Sequence, residues 1–187
     1  MKHMKTILIA LIAVATLAAC KSDDDNNEVP FIFNNANLAG THDLTFLRVD
    51  AEVRDQVAGV PVTAIVTGIG DTFQTTVDFS ASGNFVIDGE FRVATEVTIN
   101  GSTETDQVIV DLNNESGTYV IGSNAQTITF SGIEPVQFDE DITVDLIDGT
   151  WEVALFNESE LRLTKMEREI DGDTETDTTV EIRFVRQ

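Results

Sequence analysis

The chain has 187 residues, with 11 Lys and Arg against 33 Asp and Glu and a net charge of −22. Such a surface repels phosphate backbones and anionic headgroups, which argues against nucleic acid as a partner and reads as a solvated face that resists association. One cysteine, Cys20, leaves nothing for a disulfide, a cysteine zinc site or a second thiol.

In chain order, Lys2 and Lys5 precede an apolar run from Ile7 to Ala15, and Leu17, Ala18 and Ala19 lead into Cys20. A charged start, an apolar stretch and a small-residue site follow the order of a signal peptide. The run breaks at Thr16, well short of the about 20 apolar residues that a spanning helix needs. Leu17-Ala18-Ala19-Cys20 resembles the lipobox of bacterial lipoproteins, which implies cleavage before Cys20 and diacylation of its thiol. Two or more acyl chains, at about 0.8 kcal/mol per buried CH₂, anchor stably where one does not. Residues 1–19 are therefore expected to be a signal peptide and Cys20 the lipid attachment site.

Lys21, Ser22, Asp23, Asp24, Asp25, Asn26, Asn27 and Glu28 contain no apolar residue. A segment of this composition cannot bury enough surface to fold, so 20–37 is assigned as the lipidated cysteine with an acidic tether. A lysine followed by acids after the lipid cysteine resembles the export tag of Gram-negative lipoproteins carried to the outer face of the outer membrane, with Ser22 standing inside the pattern. The resemblance implies an outer-membrane, surface-exposed location.

From Leu38 onward, apolar side chains recur at period two, the signature of strands with one wet face. Phe91, Val93, Val97 and Ile99 alternate with Arg92, Glu96 and Thr98, and the pattern returns at 108–112, 142–146, 151–155 and 180–184. Turn signals stand between, among them Ser82-Gly83-Asn84, Asp88-Gly89, Asn100-Gly101, Asp148-Gly149 and Asp171-Gly172. Spacings of about 8 to 15 residues suit an antiparallel meander. Asn34–Leu38 and Arg54–Ala58 are the best helical candidates, each short enough to be a turn. The expected fold is all-β: residues 38–187 form a single domain closing into a barrel, with a β-sandwich as the other way of burying one apolar face. A charged outer face excludes a membrane pore, whose outward band must be apolar.

Leu38-Ala39-Gly40-Thr41-His42-Asp43-Leu44, together with Gly149-Thr150-Trp151-Glu152-Val153 and Leu161-Arg162-Leu163, resembles the lipocalin-like domains of bacterial surface lipoproteins. In those domains a Gly-x-Trp sits at the foot of an eight-stranded barrel. His42 here takes the place of that tryptophan, and Trp151 stands near the other end of the domain. The resemblance implies a small apolar or amphipathic ligand, with Phe46, Phe73, Phe79, Phe91, Phe130 and Trp151 as candidate cavity lining. The same rings, with Phe85 and Phe138, are equally what fills a β core. Phe31-Ile32-Phe33 could close the foot.

His42 is the only histidine after position 3, so no histidine metal cluster can form. Ser102, Ser116 and Ser123 lie in turns without a Gly-x-Ser-x-Gly elbow. Asp139, Glu140 and Asp141, or Asp171 and Asp173, could reach glycosidase spacing, but catalysis needs one carboxyl with a raised pKa. Oxygen ligands at 171, 173, 175 and 177 superficially suggest a calcium loop, yet Thr176 and Ile182 occupy the places of its glycine and glutamate. The expectation is a non-enzymatic, lipid-anchored protein without cofactor or metal, which meets the membrane through its lipid and acts as a ligand binder or an accessory to an envelope complex. A structural or adhesion sandwich is the alternative, and a carboxylate hydrolase is third.

Overall fold

A computed structural model describes residues 31–57, 59–133, 136–139, 142–144 and 147–187, with only the backbone for Val57 and for the strands between 136 and 144. The expected signal peptide, Cys20, the expected tether up to residue 30 and the side chains of Phe138 and of residues 139–141 lie outside that description.

One helical turn, α1 (Asn35–Leu38), precedes thirteen strands: β1 (Gly40–Val57), β2 (Val60–Asp71), β3 (Thr76–Phe79), β4 (Asn84–Asp88), β5 (Glu90–Ile99), β6 (Ser102–Asp111), β7 (Glu115–Ile121), β8 (Thr127–Ser131), β9 (Val136–Asp139), β10 (Ile142–Val144), β11 (Gly149–Phe156), β12 (Glu160–Asp171) and β13 (Thr174–Arg186). β9 and β10 pair with each other, while the other eleven form one antiparallel sheet in the order β13-β12-β11-β8-β7-β4-β3-β1-β2-β5-β6. A further β13–β1 pairing closes β1, β3, β4, β7, β8, β11, β12 and β13 into an eight-stranded barrel. The barrel rather than the sandwich is the solution adopted.

The extra strands follow from three bends. β2 runs into β3, β4 into β5 and β6 into β7, so each pair is one long strand interrupted at 72–75, at Gly89 and at 112–114. Thr72, Gly89 and Asn114 take φ of 51°, 115° and 55°, the left-handed half of backbone space where a strand cannot continue straight. The Gln74 amide donates to Glu90 O at 2.9 Å and the Leu112 amide to Gly89 O at 2.9 Å. These bonds put the three bends at one height across neighbouring strands. Below that line the sheet is closed; above it β2, β5 and β6 flare away on the upper half of β1. Arg92 pins the corner with two bonds of 2.7 Å to the Asp71 carboxylate.

Phe31 and Phe33 lie before the expected domain start at Leu38 yet pack on the barrel. Phe31 stacks on Phe156 at 5.0 Å and Phe33 meets the same ring edge-on at 4.7 Å, so these apolar residues cover the foot instead of joining the tether. The Asn34 side chain caps α1 by accepting from the Asn37 amide at 2.8 Å. Leu38 is fully buried beneath it. Arg186, at the end of β13, donates to the carbonyls of Asn37 and Ala39, tying the last strand to α1. Of the two short helical candidates, the first is this turn, whereas Arg54 lies within β1 in register with Thr63 and Glu175.

Candidate functional site: the barrel interior and its rim

The interior is built from the buried alternates of every wall: Leu44 and Leu47 from β1, Val77 and Phe79 from β3, Phe85 and Ile87 from β4, Tyr119, Ile128, Phe130, Trp151, Leu161, Leu163, Ile182 and Phe184 from the rest. A bulge between Leu44 and Phe46 lets both leucines point inward at odd spacing.

That bulge turns Phe46 out of the expected lining: its ring lies 4.2 Å from the Arg183 guanidinium carbon, a cation–π contact outside the core. Phe73 is half-buried and stacks on Phe91 at 5.8 Å. Phe79, Phe91, Phe130 and Trp151 are buried. Phe79 reaches Phe85 and Phe130, each at 6.2 Å between ring centres. Phe79 and Phe130 are thus brought together as packing, Phe73 and Phe91 form a separate stacked pair, and Trp151 meets Lys165 instead of a ring. A void of about 20 Å³ among Leu44, Leu47, Ile87, Phe91, Leu112, Ile147, Ile182 and Phe184 borders only one of the expected lining residues. Ligand sites for small molecules run to about 300–1,000 Å³. This void has room for about one water, and its wholly apolar walls give water no partner.

One interior side chain is invisible to a hydrophobicity pattern. Lys165 continues the Leu161, Leu163 alternation of β12 and is 4% exposed. Its Nζ lies 5.2 Å from the Trp151 ring centre, donates to Asp148 O at 3.2 Å and is 3.2 Å from Glu167 Oε1. Trp151 Nε1 donates to Ile147 O at 2.7 Å. The Asp148 carboxylate accepts from the Gly132 and Ile133 amides, both at 3.0 Å. The lysine, the indole and this aspartate therefore fasten the two ends of the β8–β11 connection onto the barrel.

His42 is buried at the foot, edge-on to Phe79 at 5.3 Å, and its Nδ1 donates to Gly40 O at 3.0 Å. Burial depresses its pKa below the ordinary 6.5; Arg186 adds to this, while the Gly40 bond and the Asp78 and Asp43 charges oppose it. The folded state thus favours the neutral ring and the unfolded state takes up the proton first. Stability is full above 6.5 and falls as pH drops from 6.5 through the lower folded value. Chemical denaturation at pH 7.5 and 5.5 is expected to give a smaller unfolding free energy at the lower pH, and His42→Phe to flatten that difference.

Thr75 is 2% exposed and its hydroxyl has no hydrogen-bond partner. A buried orphan hydroxyl costs about 1–3 kcal/mol. Thr75→Val keeps the shape and removes the hydroxyl, so it is expected to raise the urea midpoint by the equivalent of about 1 kcal/mol.

The carboxylates do other work. Asp71 is held at about 2 by its bonds to Arg92 and Thr72, and Arg48 lowers Asp50 likewise, the reverse of what a general acid requires. Glu175 is 2.9 Å from Arg54 and 2.6 Å from Arg168, and Asp177 is 2.8 Å from Arg54. Two of the four carboxylates of the calcium-like run, Glu175 and Asp177 on β13, are thus turned to guanidinium groups on β1 and β12. No cluster of three or more metal-ligating side chains occurs among the described residues, and no described helix is long and apolar enough to cross a membrane.

Outside the barrel, a shallow groove of about 710 Å³ lies where β2, β5 and β6 flare, lined by Thr67, Ile69, Ala94, Glu96, Thr105 and Gln107. Sequence reasoning missed it because it depends on which strands become neighbours. No family model matches the chain, and no curated protein or solved structure matches it significantly.

Proposed function

We propose that the chain is a non-enzymatic lipoprotein of the bacterial outer membrane, anchored by acyl chains on Cys20 and displayed outward, that serves an envelope assembly through its surface and holds no ligand inside. The observation that carries this reading is the packing of the described interior: Phe79 and Phe85 both pack on Phe130, Phe73 stacks on Phe91, and the void described among the core residues is about 20 Å³. Of the two roles open from the sequence, ligand carrier and accessory module, the packing favours the second. The acidic surface suits a module that stays soluble beside the membrane while engaging a chosen partner.

Native mass spectrometry of the chain released from membranes tests the reading. The expected species is the acylated polypeptide alone after detergent is stripped. A bound lipid retained at one-to-one stoichiometry, also by a Cys20→Ala form, would make it a carrier. For the anchor, Cys20→Ala is expected to move the protein from the membrane to the soluble fraction, and unchanged membrane association would count against lipidation.

A further inference from the structure

Among the described residues β6 hydrogen-bonds on one side only, to β5, and stands last in the sheet order. Its ten residues run in unbroken register from Glu90↔Asp111 to Ile99↔Ser102. Exposed edges are ordinarily blunted by charged side chains, above all lysine, by proline, by a bulge or by a covering element. The charges of β6 are all acidic: Glu104, Asp106 and Asp111. β6 contains no lysine or proline and no bulge, and Ser102 to Gln107 are exposed on both faces.

Three bonds say which backbone groups face outward. The Leu112 amide donates to Gly89 O at 2.9 Å, and Thr95 Oγ1 donates to Asp106 O at 3.4 Å, so even-numbered residues turn toward β5. The Gln107 amide instead donates to the Asp106 carboxylate at 2.7 Å. The odd residues Thr103, Thr105, Gln107 and Ile109 therefore present N–H and C=O groups outward, at a repeat of about 7 Å.

We infer that the free edge of β6 is a docking site for an extended, basic segment of a partner protein, which adds to the sheet as a further strand. The inference rests on the reading that this protein works through its surface, and it names the surface. A second copy is disfavoured, because edge-to-edge pairing would set Glu104 and Asp106 of one molecule against those of another in chains of net charge −22. A strand with lysine or arginine at alternate positions meets the opposite situation: one row of its side chains lies beside Glu104 and Asp106. The other row lies beside Thr105, Gln107 and the exposed Ile109, along the rim of the 710 Å³ groove.

The full chain in detergent is titrated with a ten-residue peptide of alternating lysine and threonine, reading hydrogen exchange at the Thr103, Thr105 and Ile109 amides. Saturable binding with at least tenfold slower exchange at these amides is expected. Thr105→Pro, which removes an outward N–H and leaves the β5 ladder whole, should weaken binding at least tenfold. So should a peptide methylated on alternate backbone nitrogens, added to the unaltered protein. Absence of protection, equal binding of a glutamate–threonine peptide, or binding that survives both blocks overturns the proposal, as does a dimer that Thr105→Pro dissolves. A lipid found inside the barrel would sink the surface reading and leave the exchange result unchanged.

Discussion

Phe79→Ala is expected to cost the fold about 4 kcal/mol, near the upper end for truncating a buried ring. Phe79 is 2% exposed and touches rings from several walls: His42 at 5.3 Å, Tyr119 at 5.5 Å, and Phe85, Phe130 and Phe184 each at 6.2 Å. Those partners stand on β1, β7, β4, β8 and β13, so removing the ring opens a space that no single element can collapse to fill. The cost therefore carries a cavity contribution beyond lost transfer energy. Urea unfolding followed by the single tryptophan measures it. A loss under about 1 kcal/mol would mean that the centre is already loose.

The second large effect is at Gly89. With φ of 115° it sits in a region that side chains avoid, and a Cβ there would lie 2.1 Å from Gln74 O, a backbone atom with no rotamer to yield. Strain of about 1–3 kcal/mol and overpacking of similar size combine, so Gly89→Ala is expected to lose roughly 3 kcal/mol or more. Gly101, at φ 81° with nothing within 4 Å of an added Cβ, is the control. Gly101→Ala should cost about 1 kcal/mol, the backbone share alone. Equal losses at both positions would contradict the aligned-bend account of the corner. That corner also holds the groove and the free edge in place, so the Gly89 variant should disturb exchange at β6 while the Gly101 variant, at the β5–β6 turn, alters only the tip.

The strands were legible because alternation survives in a half-buried sheet: Leu161, Leu163, Phe184 and Ile182 lie inward as period two requires. Closure was legible as one of two solutions, since hairpins in sequence can join first strand to last. The bulge at Leu44/Phe46 was not, and Phe46 was misplaced because one inserted residue flips everything beyond it to the other face. Lys165 did not figure in the sequence reading for a related reason: a lysine carries no apolar signal, yet here it holds a core position in the alternation, with the Trp151 face, the Asp148 carbonyl and Glu167 receiving its charge. The foot was half legible, in that Phe31 and Phe33 were seen as closure material while the tether was extended across them. The docking edge could not be read at all. β6 looks like any other strand until its neighbours are known, and among the described strands only β5 pairs with it.

The filled interior is tested most directly through Trp151, the only tryptophan in the chain and fully buried within the barrel. Titration with a brominated fatty acid, whose bromines quench an indole only on close approach, should leave its emission unchanged up to the solubility limit of the lipid. Saturable quenching at one equivalent would place an acyl chain beside Trp151 and contradict the account.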